Sequence, residues 1–269
     1  MKKSKKPWAS VDYFAFFVIV PIIIISIFLL PETIKDSLVL HPSNPTFISV
    51  FFSNYVHLEF WNHLLGNLIF YLIVMILIFN IEMDKGRFRK ASLLIFIALP
   101  FVNSSFVIFF TPFLKNALGF SGIISAFYGY LLFSAYNFIK QNYKPSINGN
   151  IFLLLIWGIN LFIVDIYNLH DTNIFLQVVM ISLVSCIAYN YRSNIKLITN
   201  KMKTHYKKLP ENQRTYKLIL FLITLIFLFS LPIFLIPPVI IMEGGNVTNI
   251  MAHWVGYSFG LGSGFIIKR

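Results

Sequence analysis

The sequence predicts an all-α polytopic membrane protein with eight spans, and three observations carry that reading. Of 269 residues, 57% are apolar and 17% aromatic, 30 of them Phe, while only 12% are charged. An ordinary soluble domain carries about 25% charged residues, and no compact sphere of this size hides so much apolar surface. The same composition excludes a disordered chain, which needs low hydrophobicity and many charges. The second observation is a set of apolar runs of bilayer-spanning length. They fall at 12–30, 60–81, 92–111, 119–139, 151–168, 173–191, 217–238 and 250–267. The third is the placing of the charge, a net +12 from 22 Lys and Arg against 10 Asp and Glu.

With the N-terminus inside, the inner segments hold Lys2, Lys3, Lys5 and Lys6, the Lys85–Lys90 group, Lys140 and Lys144. They also hold eight cations between Arg192 and Lys217, and the terminal Lys268 and Arg269. Only Lys35 and Lys115 lie outside. Cytoplasmic loops collect Lys and Arg, so this asymmetry sets eight spans with both termini cytoplasmic. The charge is thereby used up by topology, and no nucleic-acid partner is expected. The basic 192–216 loop retains a secondary reading as a contact for anionic lipid headgroups or RNA.

Each element has its own justification. The first apolar stretch is too long for a signal-peptide core and lacks a small-x-small site before Pro31, so it reads as a retained span. Residues 31–59 mix Phe47, Ile48, Val50, Phe51, Phe52 and Tyr55 with Pro42, Pro45 and several Asn and Ser. Such a segment suits the membrane interface or the flank of the bundle. The lone Cys186, inside an apolar run, reads as a small buried hydrophobe. It excludes an intrachain disulfide and any Cys-based metal site. Asp165 reads as an interfacial or packing residue near the outer end of the fifth span.

Hydrocarbon penalises polar side chains, so those inside spans are functional candidates. Three clusters stand out: Trp61-Asn62-His63-Leu64-Leu65-Gly66-Asn67, Gly119-Phe120-Ser121-Gly122, and Met251-Ala252-His253-Trp254-Val255-Gly256. Spans two, four and eight all run from outside to inside, and each polar residue lies within two turns of the outer end. His63, Asn67, Ser121 and His253 are therefore expected in one layer just below the outer surface. The four-residue spacing of His63 and Asn67 puts them on one helix face. Ala252, Gly256, Gly260 and Gly264 form a small-residue stripe, matched by Gly122, Ala126 and Gly129. Such stripes let helix backbones approach closely, which would bring Ser121 within hydrogen-bond reach of His253. A serine becomes a nucleophile when a neighbouring base takes its proton.

These residues carry a family resemblance. His63-x-x-x-Asn67, Gly119-x-Ser121-Gly122 and Ala252-His253-x-x-Gly256-x-x-x-Gly260, in that order, resemble the rhomboid intramembrane serine proteases. Ala126, Gly129 and Tyr130 extend the match, which covers about half the chain. The resemblance implies one rhomboid-like transmembrane domain over 1–269, a six-helix core plus two additional helices. It also implies a Ser121–His253 dyad, with an oxyanion hole from Asn67, His63 and the Ser121 N–H, and no cofactor or metal. The implied reaction is peptide-bond hydrolysis in or near transmembrane segments of other membrane proteins. Separately, the Ile, Phe, Lys and Asn bias of the composition points to an AT-rich prokaryotic genome, and so to a prokaryotic cell membrane.

Three features depart from the family pattern. Ser125 stands where many relatives carry Tyr. His57 precedes His63 by six positions, one more than expected, and is a minor candidate only. Three spans rather than one separate the serine helix from the last. Span seven is taken as the family's fifth helix and spans five and six as an added hairpin, with span five the alternative equivalent. Other chemistries fit less well. Ile123 breaks a G-x-S-x-G elbow, no H-E-x-x-H motif occurs, and a transporter would carry repeated halves and midplane charges. The competing reading from another class is a non-catalytic rhomboid-like chaperone or quality-control adaptor that binds transmembrane segments.

Overall fold

A computed structural model describes residues 7–143, 148, 174–235 and 250–267. Its helices in chain order are α1 (Ser10–Phe28), α2 (Glu32–Leu38), α3 (Phe47–Phe52), α4 (Gly66–Ile81), α5 (Lys85–Phe110), α6 (Ser121–Tyr143), α7 (Ile174–Asn190), α8 (Arg192–Lys207), α9 (Glu211–Leu235) and α10 (Ile250–Ile266). Among the described residues the protein is all-helical, with a single bridge between Leu40 and Ala117. Four helices, Ser10–Phe28, His63–Ile81, Lys85–Phe110 and Ser121–Tyr143, are long and apolar enough to cross a membrane. The chain is thus a membrane-embedded helical protein. The expected fifth span, Asp165, Pro237 and Pro238 lie outside the described residues. Helices α7 and α10, on the sixth and eighth expected spans, have 17 residues each. Helix α9 covers most of the seventh.

The chain divides into two compact units, Met1–Ser134 with Val239–Arg269, and Ala135–Pro238. In the first, the crossings alternate in direction, as hydrogen bonds at the two ends record. At one end, Trp8 Nε1 donates to the Phe79 carbonyl (2.7 Å) and Arg87 Nε to the Ile267 carbonyl (3.1 Å). Arg89 there makes two bonds to the Asp12 carboxylate, 2.8 and 2.7 Å. Buried Glu82 accepts from the Asp84 N–H (2.6 Å) and from the Ser134 hydroxyl. At the other end, Ala117 N–H donates to the Leu40 carbonyl (2.9 Å) and Gly119 N–H to the Ser53 carbonyl (2.9 Å). Helices α4, α6 and α10 therefore run the same way, as the alternation of spans requires.

Helix α6 is the centre of this unit: residues 122–134 are all buried. The small-residue stripes explain how α10 reaches it. A Cβ on Gly256 would strike the Gly122 carbonyl, one on Gly260 the Ala126 carbonyl, and one on Gly129 the Tyr257 carbonyl. Only the absent side chains permit that backbone contact, because van der Waals packing is what holds helices together in lipid.

Two expectations are corrected. Cys186 is exposed on α7 rather than buried. Exposed Leu183 and Tyr189 are on the same helix; a helix apolar all round has faces for lipid as well as for protein, so apolar neighbours did not mean interior. The 192–216 segment is not a loop: α8 occupies Arg192–Lys207 and α9 begins at Glu211, behind Pro210. No Gly or Pro interrupts 192–209, and Lys, Leu and Met are good helix formers.

Candidate active site

The segment entering the site is anchored on a proline. Pro100 lies inside α5, where it has no N–H for the carbonyl of Phe96, four residues back. The Tyr55 hydroxyl donates to that carbonyl instead. Asn54 Nδ2 donates to the Pro100 carbonyl (3.3 Å) and to Ser104 Oγ (3.2 Å), and Ser104 Oγ donates to the Val50 carbonyl (2.6 Å). The 31–59 connection therefore packs on the bundle through a buried polar network. Val56 and His57, fully buried, follow directly.

Three turns of chemistry converge next to it. A π-helical turn, Phe60–Leu65, precedes α4 and carries His63; such single turns recur at functional sites. Asn67 sits at the start of α4, buried. Its Nδ2 donates to His57 Nε2 (3.0 Å), while His57 Nδ1 faces the Tyr55 carbonyl at 3.2 Å. Both contacts are satisfied when His57 is neutral and protonated at Nδ1. Burial, with a smaller contribution from neighbouring His63, pushes the His57 imidazole down to about 3. The His57 and His63 rings meet edge to face, 4.7 Å apart.

Gly119 joins this cluster to the serine. Its φ of +122° is a conformation that favours glycine, and a Cβ there would lie 2.8 Å from His63 Nε2 and 3.9 Å from Ser121 Oγ. The residue is thus required twice, by backbone angle and by the imidazole beside it. Ser121 is the first residue of α6, so its N–H is among those a helix leaves without an intrahelical partner. Ser121 Oγ and His253 Nε2 are 2.8 Å apart, with His253 buried. This bond brings together residues 132 positions apart, across the glycine contacts of α6 and α10. Ser125, one turn on, donates its hydroxyl to the Ser121 carbonyl (2.8 Å).

All four residues singled out in the sequence lie at one end of the first unit. Ser121 is bonded to His253, and His63 faces Gly119 beside it. Asn67 joins through His57, which sequence spacing had ranked as minor. The π-turn is what spacing could not foresee: it adds a residue to the turn, shown by the Leu64 N–H bonded to the Glu59 carbonyl (3.1 Å). Asn103, buried on α5, was also missed. Its Nδ2 donates to Asn54 Oδ1 (3.2 Å) and would lie 2.6 Å from a Cβ on Gly122, so it buttresses the start of the serine helix. Among the described residues no cluster of three or more His, Cys, Asp or Glu is arranged to hold a metal ion.

Protein-family models, curated proteins and solved structures give no match to this chain.

Proposed function

We propose that this protein is an intramembrane serine endopeptidase of rhomboid type, cleaving transmembrane protein substrates near the outer ends of their spans. The single observation that supports it best is the 2.8 Å contact between Ser121 Oγ and His253 Nε2. With His253 neutral, the serine hydroxyl donates to Nε2, the arrangement needed to pass its proton to the ring as the oxygen attacks. Ser121 Oγ then adds to the scissile carbonyl carbon while His253 takes the proton. The tetrahedral oxyanion is held by the second Asn67 Nδ2 hydrogen, by the His63 ring and by the Ser121 N–H at the positive end of α6. His57 is a positioning residue: by accepting one Asn67 hydrogen it turns the other toward the substrate. His253 returns its proton to the leaving amine, and water repeats the sequence on the acyl-enzyme.

The charge asymmetry of the sequence supports an outward-facing site, because Ser121 and His253 sit at the end opposite Lys85, Arg87 and Arg89. Reconstitution tests the proposal. Wild type should cleave a labelled transmembrane substrate and react with a serine-directed fluorophosphonate, whereas Ser121→Ala and His253→Ala should do neither. Equal cleavage by all three, or an unreactive wild type, removes the protease assignment and favours the non-catalytic binder.

A further inference from the structure

Helix α8 is amphipathic in a particular way. At 100° per residue, Ile195, Ile198, Met202 and Tyr206 fall on one stripe. Arg192, Lys196, Lys203 and Lys207 flank it on one side, and Lys201, His205 and Lys208 on the other. Leu197 is the one apolar residue on the far side. No acidic residue occurs between Arg192 and Pro210. Ile195 and Tyr206 on the stripe are 44% and 37% exposed. Lys201 Nζ donates to the Tyr143 carbonyl (2.8 Å) and Arg192 lies over the Tyr189 ring (4.2 Å). No ion pair involves the cations of α8 among the described residues.

The neighbours of α8 fix where such a face can go. Before it, α7 exposes Ile174, Phe175, Val178, Val179 and Ile181; after it, α9 exposes Leu218, Ile219, Phe221, Leu222 and Ile226. Apolar surface of that extent on consecutive helices belongs in lipid. A polar helix between two lipid-facing ones leaves the hydrocarbon, and with an apolar stripe of its own it can rest at the level of the headgroups. Arg214 holds the turn into α9 by donating to the Leu209 and Lys207 carbonyls, 2.8 and 2.7 Å.

We propose that α8 lies in the plane of the membrane, its Ile195–Ile198–Met202–Tyr206 stripe among the acyl chains and its lysines on anionic lipid headgroups. Cations on both shoulders of an apolar stripe are the pattern that fits a charged interface: the lysine stems lie along the hydrocarbon and the ammonium groups reach the phosphates. The sequence of α8 supplies no acidic residue to balance these cations, and a phosphate surface balances them along both shoulders at once. The proposal is independent of the serine chemistry.

The test uses the full chain in a Cys186→Ser background, with Met202→Cys or Ile198→Cys carrying an environment-sensitive fluorophore and Asn200→Cys labelling the opposite face. Each is reconstituted in phosphatidylcholine alone and in an equal mixture with phosphatidylglycerol. The expected result is a blue shift and quenching by chain-labelled lipid at 198 and 202 only with phosphatidylglycerol. High salt and the triple substitution Lys196→Gln, Lys203→Gln, Lys207→Gln should each reverse it, and position 200 should stay aqueous throughout. The same signal in both lipids, or an equal response at position 200, overturns the proposal. So does a shift in detergent that disappears on dilution, which assigns the face to a second copy. A shift in phosphatidylcholine produced only by added RNA would assign it to nucleic acid.

Discussion

The two ends of the first unit solve the problem of polar groups in a membrane protein differently. At the end holding Trp8, Glu82 and Arg89, charged groups join one element to another: Arg89 with Asp12, Arg87 with the Ile267 carbonyl, Glu82 with Ser134. At the Ser121 end the side chains that meet around the serine are uncharged types, histidine, asparagine and serine, gathered around a glycine of positive φ, while the charges there (the Glu32–Lys35 pair and Glu59) stand at the edge. Charge at the first end locks helices together; neutrality at the second leaves hydrogens and lone pairs available for a reacting carbonyl. If the proposed function holds, stability and chemistry are carried by opposite ends, and substitutions should separate them.

The largest separation is expected at the dyad. Ser121→Ala or His253→Ala should lower turnover by at least about a thousandfold while the thermal unfolding midpoint in detergent moves little; a comparable loss of stability would show that the contact is structural. Asn67→Ala should reduce kcat by roughly a hundredfold or more, with substrate binding nearly unchanged. Gly260→Leu crosses the division, because its side chain would meet the Ala126 carbonyl. It should cost on the order of 1–3 kcal/mol and also separate Ser121 from His253, seen as lost fluorophosphonate labelling. Arg89→Gln tests the charged end. Arg89 is half-exposed but the Asp12 carboxylate it holds is buried, so its loss should cost about 1–3 kcal/mol and leave kcat within about twofold, since the pair lies at the end opposite Ser121.

The smallest and most diagnostic effect concerns His57. Its folded value near 3 lies below the ordinary 6.5, so between those limits the unfolded chain binds the proton and the folded one does not. Stability is therefore complete above about pH 6.5 and falls as pH drops toward 3, by up to roughly 1.4 kcal/mol per unit. His57→Gln should flatten that dependence in pH-resolved thermal unfolding and retain part of the activity through its amide. His57→Ala should behave like a mild Asn67 variant. If unfolding of wild type is flat from pH 6.5 to 4, the buried neutral imidazole is wrong.

Much of this was legible in the residues because hydrocarbon leaves few choices. Apolar length gave the helices Ser10–Phe28 and Ser121–Tyr143 to within a few residues, and small residues every four positions announced the contact of α6 with α10. Element starts were less legible where a cap or proline decides them. Helix α5 begins seven residues before the apolar run, since Asp84 accepts the Arg87 N–H (3.1 Å), and α9 begins six residues early behind Pro210. Amphipathic α8 carries a period that a count of basic residues concealed.

The site divides in the same way. Sequence alone determined which side chains are chemically able to act, since Ser121, His253, His63 and Asn67 are polar groups where lipid forbids idle ones. It also determined the common direction of their helices, through the charge asymmetry. Only the tertiary structure decided that His57 holds Asn67, that Gly119 must be glycine, and that Pro100 anchors Asn54 and Tyr55. Those depend on atoms meeting across 41 or more positions of chain, or on how one irregular turn brings His57 and Asn67 together, and neither composition nor spacing encodes such meetings.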